Sequence, residues 1–231
     1  MTQLKATLGV CLGALVALQA SANVITFVTP TGAVTSGGPV NASATFTTGS
    51  GTVSITITDL QANPTDVAQL VSDLDFTLSG GQTTGTLASS SGQQIFIAGN
   101  GTATLGSTGA TGWGLNQNVS GGLQLDALGF IGPAGLIVGP PGAGGTYTSA
   151  NGSIAGNGPH NPFINQTATF TINIAGVTVD STVTSATFSF GTTPGIDVPG
   201  IPPPSVPEPA TLALLGLGLS GLALTRRSRA Q

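Results

Sequence analysis

Seven stretches of this 231-residue chain alternate apolar side chains with Thr, Ser or Asn at a period of two. In TVSITIT the apolar set is Val53, Ile55 and Ile57; in ATFTINIAG it is Phe170, Ile172 and Ile174; in SATFSFG it is Ala186, Phe188 and Phe190. NVITFV, NASATFT, LDFTL and QQIFIA follow the same rule. Successive side chains of an extended strand point to opposite faces, so each stretch offers one apolar face and one hydroxyl face. That is the pattern of antiparallel sheet with one side in water. Between the stretches lie GGPVN, LSGGQTTG, AGNGT, PPGAGGT and ANGSIAGNGPHNP, the Gly, Pro and Asn clusters that turn a chain. The expected body is mainly β, an antiparallel β-sandwich or a jelly-roll-like fold. The triplet ATF recurs at 44, 168 and 186 at irregular intervals, which makes it strand patterning rather than a repeat.

One segment departs from this period. In ANPTDVAQLVSDL, Val67, Leu70, Val71 and Leu74 fall at i, i+3, i+4 and i+7, one face of a helix. Asn63 stands where a cap belongs, Pro64 at the first helical position, and Asp66 in the first turn, where the helix dipole favours a carboxylate. A short helix plugging one end of the sandwich is expected here.

Charge limits the partners. Only 5% of residues are charged, against roughly 25% in ordinary domains. Residues 23–206 hold seven Asp and no Lys, Arg or Glu. Such a surface excludes nucleic acid as a partner, because phosphate binding needs cations. The hydrophobic fraction of 39% argues against disorder, which goes with low hydrophobicity and high net charge. No cofactor is implied; Ca²⁺ is the one ion an acidic, oxygen-rich surface would suit. Cys11 is the single cysteine, so the body forms no disulfide of its own.

The termini read as addresses. Lys5, the apolar run Ala6–Leu18 and the small residues Ala20 and Ala22 make residues 1–22 a secretory signal peptide, cut by signal peptidase after Ala22. The body then runs from 23 to 198 and a Pro-rich linker from 199 to 205. At the other end, residues 211–224 are apolar or small throughout, about 21 Å as a helix at ~1.5 Å per residue. Snorkelling arginines extend that reach toward a ~30 Å hydrocarbon core. Arg226, Arg227 and Arg229 follow and hold the tail on the cytoplasmic side of the membrane. A C-terminal transmembrane helix is therefore expected. The GLGLSG within it matches the dinucleotide fingerprint in letters alone, because no strand precedes it and no acidic residue follows.

Val206-Pro207-Glu208-Pro209, the apolar span and the arginine cluster together resemble the PEP-CTERM sorting signal, over residues 206–229 and none of the body. The resemblance implies an exported protein of a Gram-negative bacterium that makes exopolysaccharide. It also implies passage through the inner membrane and cleavage near the Pro-Glu-Pro motif by an exosortase, with delivery to the cell surface or extracellular matrix.

Candidate chemistry in the body is sparse. Asp73 and Asp75 stand two apart, with Cα atoms ~6.6 Å apart on a strand, a separation that suits an inverting glycosidase. The opposite set, Leu74, Phe76 and Leu78, takes the core, which leaves both carboxylates expected in water with unshifted acidity. His160 is the single histidine, in a loop between Pro159 and Pro162, and one histidine does not make a zinc site. Trp113 and Tyr147 lie in Gly-rich stretches, where exposed rings would stack on sugars; the alternative is burial as loop anchors. No G-x-S-x-G elbow occurs. The sequence points to a structural or adhesive, non-enzymatic protein associated with exopolysaccharide and biofilm. A glycan-binding module is the alternative, and a polysaccharide hydrolase the third reading.

Overall fold

A computed structural model describes residues 22–129, 135–158, 160–193 and 195–202. The signal peptide apart from Ala22, the C-terminal helix and the sorting motif lie outside the described residues. The body is mainly β, as the alternation requires. Its strands are β1 (Val24–Val28), β2 (Val34–Thr35), β3 (Gly38–Pro39), β4 (Ala42–Gly49), β5 (Thr52–Asp59), β6 (Val71–Leu78), β7 (Thr86–Ile97) and β8 (Ala103–Gly109). They continue with β9 (Gly114–Val119), β10 (Gly122–Asp126), β11 (Ile137–Val138), β12 (Phe163–Asn173), β13 (Val183–Phe190) and β14 (Asp197–Pro199).

Hydrogen bonding defines one 12-stranded sheet in the order β1-β4-β5-β12-β11-β6-β10-β9, with β7 and β8 attached to β12, and β13 and β14 attached to β6. β2 and β3 form a separate small hairpin. The short strand β11 makes the sheet continuous: it pairs in parallel with β12 through Ile137 and Val138, and antiparallel with β6 through Ile137. Four inter-strand steps separate β4 from β6, about 19 Å if the sheet were flat at ~4.8 Å per step. Yet the rings of Phe46 on β4 and Phe76 on β6 have centroids 5.4 Å apart. The sheet therefore curls over on itself and encloses its apolar face. A backbone bridge between Val28 and Ile201 ties the end of β1 to the segment after β14.

The core is built from in-register rows. Ala44, Ile57 and Ala168 lie opposite one another across β4, β5 and β12, and Phe46, Ile55 and Phe170 form the next row. All six are buried. Ala–Ile–Ala beside Phe–Ile–Phe sets small side chains next to large ones, and such cross-strand pairs stabilise a sheet. The recurring ATF triplets supply this pattern, with Ala and Phe inward and Thr outward in β4, β12 and β13.

The expected helix shrinks to one 3-10 turn, Val67–Gln69. Its cap is Asp66, which accepts from the Ala68 N–H, while the Gln69 side chain closes the capping box. Asn63 does not cap: it sits at φ 48° outside the turn. Leu70, Val71 and Leu74 are buried, but from Val71 onward the chain is strand β6. β6 has partners on both edges, β13 on one and β10 with β11 on the other. Both of its faces are covered near its start, which produces a run of buried residues that imitates a helical stripe.

Candidate functional site

Two polar surfaces of opposite character stand out. The first is the outer face of β1, β4, β5, β12 and β7. Thr26, Thr45, Thr56, Thr169 and Ser91 lie in register across those five strands. Beside them run Thr47, Ser54, Thr171 and Ser89, and on the other side Ser43, Thr58 and Thr167. Rows repeat every two residues, about 6.8 Å along a strand, and neighbours across strands lie ~4.8 Å apart. Thr26 and Thr45 share a hydrogen bond of 2.8 Å, and Thr58 and Thr167 one of 3.2 Å. None of these rows carries a charged side chain. The face is an uncharged lattice of groups that both donate and accept.

The second surface is acidic. Asp126 on β10, Asp73 on β6, Ser189 on β13 and Asp197 on β14 form one row across four strands. Asp75, two residues along β6, stands opposite Gln124 and Thr187 in the next row. Sharing a face is what the two-residue spacing of Asp73 and Asp75 predicts. Solvation is not: Asp73 is only 5% exposed, and the turn after β10 covers it, with the Ala127 N–H donating to its Oδ1 at 3.3 Å. Asp126, also buried, accepts from the N–H groups of Leu128 at 2.6 Å and Gly129 at 3.1 Å, and from the Asn116 amide at 2.9 Å. Burial first, then the hydrogen bond to Asp126 and that group's charge, push the Asp73 carboxyl up to about 8. A proton is thus held at Asp73 near neutrality, where unshifted acidity was expected. The partner that raises it comes from a strand some fifty residues away and is invisible to local spacing.

Asp75 is raised as well, by burial and then by the charges of Asp197 and Asp126, against a hydrogen bond from Gln124 that lowers it. Its Oδ1 is shielded and has no hydrogen-bond partner. Asp75 and Asp197 line a groove of about 220 Å³ with Thr77, Ser120, Ser185 and Thr187. The Ser189 hydroxyl donates to Asp197 at 2.7 Å. Such a groove offers acceptors and hydroxyls to a polar ligand. Among the described residues no three His, Cys, Asp or Glu side chains are placed to hold a metal ion. The lining of the groove does not include His160; that residue lies in the loop before β12, next to Asn161, whose side chain bonds both backbone groups of Ile97 at 3.0 Å.

The aromatic candidates lie inside. Trp113 is 4% exposed and Tyr147 1%, so neither offers a ring face to a sugar. The indole N–H donates to the Gly135 carbonyl at 2.9 Å, and the ring packs on Phe170 with centroids 5.2 Å apart. The Tyr147 hydroxyl donates to the Gly139 carbonyl at 2.8 Å. Both anchor Gly-rich loops, the alternative the sequence left open.

Asp59 was not singled out by sequence, and it is fully buried at the end of β5. Its Oδ1 accepts from the Gln61 N–H at 2.9 Å, and its Oδ2 has no partner. Burial raises the pKa of this carboxyl well above the usual carboxylate range, opposed by the nearby backbone N–H groups of Gln61, Gly139 and Val71, which lower it. Gly139 is required there, since a Cβ would lie 2.0 Å from the Gln61 carbonyl oxygen.

Of the sequence-derived address residues, Ala22 is described and exposed just before β1. Ala20, Val206, Pro207, Glu208, Pro209, Arg226, Arg227 and Arg229 lie outside the described residues. Comparison with protein families matches residues 205–228 to the PEP-CTERM protein-sorting motif. No curated protein and no solved structure matches the chain.

Proposed function

From a chain that carries the PEP-CTERM protein-sorting motif at residues 205–228, and is accordingly exported with a C-terminal membrane anchor and processed by an exosortase, we propose a matrix protein. Signal peptidase frees Asn23, the C-terminal helix holds the chain in the inner membrane, and exosortase cleavage releases the body to the cell surface or extracellular matrix. There it plays a structural or adhesive part alongside exopolysaccharide in a biofilm, without enzymatic activity. The sorting motif carries this reading. Intact mass spectrometry of the protein from its host, membrane and medium taken separately, tests it. A form running from Asn23 to near Glu208 is expected in the medium; a population retaining Arg226–Arg229 throughout would overturn it.

The glycan-binding reading keeps its footing on a different surface. The hydroxyl rows of β1, β4, β5, β12 and β7 favour a sugar chain over a charged polymer, because they present donors and acceptors without charge. Each such bond is worth only about 0.5–1.5 kcal/mol net, so binding here depends on many rows engaged together. The Thr45→Val and Thr56→Val double variant is expected to lose retention on immobilised host polysaccharide, and Trp113→Phe to keep it. Turnover of a polysaccharide that Asp73→Asn or Asp75→Asn abolishes would instead establish the hydrolase reading.

A further inference from the structure

An open sheet must protect its edges, since an unpaired strand is a template for another chain. The edges of this sheet differ sharply in how they are protected. β14 has three residues and contains both Asp197 and Pro199. The end of β1 is bridged by Ile201. β9 is covered in part by the segment before β7: the Asn118 N–H donates to the Thr83 carbonyl at 2.9 Å, and Thr83 donates to the Asn118 side chain at 2.7 Å. β8 has the least: a bridge from Thr146 reaches Thr102, just before the strand, and no strand among the described residues pairs with the outer edge of Ala103–Gly109. It pairs with β7 alone, runs seven residues as ATLGSTG without charge or proline, and is mostly exposed. Among the described residues no hydrogen bond outside the β7 pairing engages Ala103–Gly109.

Its side chains lack cover too. Leu105 stands opposite Ile95, which is buried at 2%, yet Leu105 is 57% exposed. It carries the core side of the sheet onto its edge strand, and no strand among the described residues lies beyond it. Phe96, on the neighbouring strand, is 45% exposed.

We propose that β8 is a self-association edge, where two copies of this chain pair antiparallel, β8 against β8, to continue the sheet across a two-fold axis. Charge selects the second copy as occupant. Residues 76–125 contain no charged side chain in a body that is otherwise acidic. Two copies therefore meet here without carboxylate facing carboxylate, whereas a cationic partner gains nothing from this edge. A register centred on Leu105 sets the two Leu105 side chains opposite one another, closing the core side of both copies. The contact is isologous and closed, so it gives a dimer and not a fibre. Antiparallel neighbours keep the same faces on the same side, so pairing also extends the hydroxyl face from one copy to two and doubles the sites available to a repeating ligand.

Sedimentation velocity of the processed protein tests this. The unchanged protein is expected at the mass of two chains, and Leu105→Lys at the mass of one at the same concentration. Val34→Lys, at a 66% exposed position on the separate β2–β3 hairpin, is expected to remain dimeric. If Leu105→Lys impairs folding, Leu105→Ser with amide hydrogen exchange replaces it: β8 amides slow in the unchanged dimer must become fast in that variant. An unchanged protein that stays monomeric at all concentrations overturns the proposal. So does a dimer that Leu105→Lys leaves intact.

Discussion

The β4–β5–β12 region and the β10–β6–β13 region are built from the same alternating grammar and use it for opposite ends. In the first, the inward rows through Ala44 and Phe46 are apolar, with Thr48 and Asp59 buried only toward the strand ends, and the outward rows are Thr and Ser. In the second, the turn after β10 roofs Asp73, which lies as deep as a core residue, while Asp75 and Thr77 farther along β6 line the groove. Alternation fixes which residues share a face; whether that face meets water depends on what the chain lays over it. The middle of the first region gains its stability from packing, while the second makes stability depend on protons, as does Asp59 at the end of β5.

The sharpest way to break the comparison is to cut both cores and both polar faces. Phe46→Ala removes a fully buried ring that touches Phe27 at 5.9 Å and Phe76 at 5.4 Å. A loss of about 3–5 kcal/mol is expected in denaturant unfolding, the same at pH 5 and pH 8. Asp73→Asn tests the other region. The Asp73 carboxyl is raised from 3.8 to about 8 in the folded state, so the unfolded chain releases its proton first. Stability is therefore full below pH 4 and falls as pH rises toward 8, by on the order of a few kcal/mol. Asp73→Asn is expected to flatten that slope and to stabilise the protein most at pH 8. Asp59, raised in the same direction, leaves a residual slope of the same sign. An unchanged pH profile would mean that the Asp73–Asp126 row does not hold the proton.

Smaller effects sharpen the contrast. Gly139→Ala drives a methyl against the Gln61 carbonyl beside Asp59, and a cost of about 1–3 kcal/mol is expected from the overpacking. Thr45→Val on the outer face loses a hydroxyl pair with Thr26 and gains strand propensity, so a change within about 0.5 kcal/mol is expected in the melt. A large loss there would make the hydroxyl rows part of the scaffold rather than a free surface.

Legibility followed the strength of the local pattern. Each of the seven alternating runs became all or part of a strand, with the inward residues of β5, β12 and β13 as read. The seven strands that were not anticipated are short or Gly-rich: Val34–Thr35, Gly38–Pro39, Ala103–Gly109, Gly114–Val119, Gly122–Asp126, Ile137–Val138 and Asp197–Pro199. Such segments have little preference of their own and become strands because a partner edge is offered to them. The helix expected within residues 62–74 failed for a related reason: burial on both faces of a central strand mimics a 3.6-residue stripe. For the carboxylates, spacing placed Asp73 and Asp75 on one face and could not supply Asp126 or Asp197, which arrive from other strands.

Sequence alone was enough for the sorting address, the mainly β body, and the apolar and hydroxyl faces of its main strands. These depend on residues close together in the chain, where period and charge act without help. Only the tertiary fold shows that β11 joins the strands into one curled sheet, that Trp113 and Tyr147 turn inward, that four strands bring three carboxylates into one row, and that β8 has β7 as its single partner strand among the described residues. Each of these is a contact between distant segments, and its energy exists only once the chain has closed the loops between them.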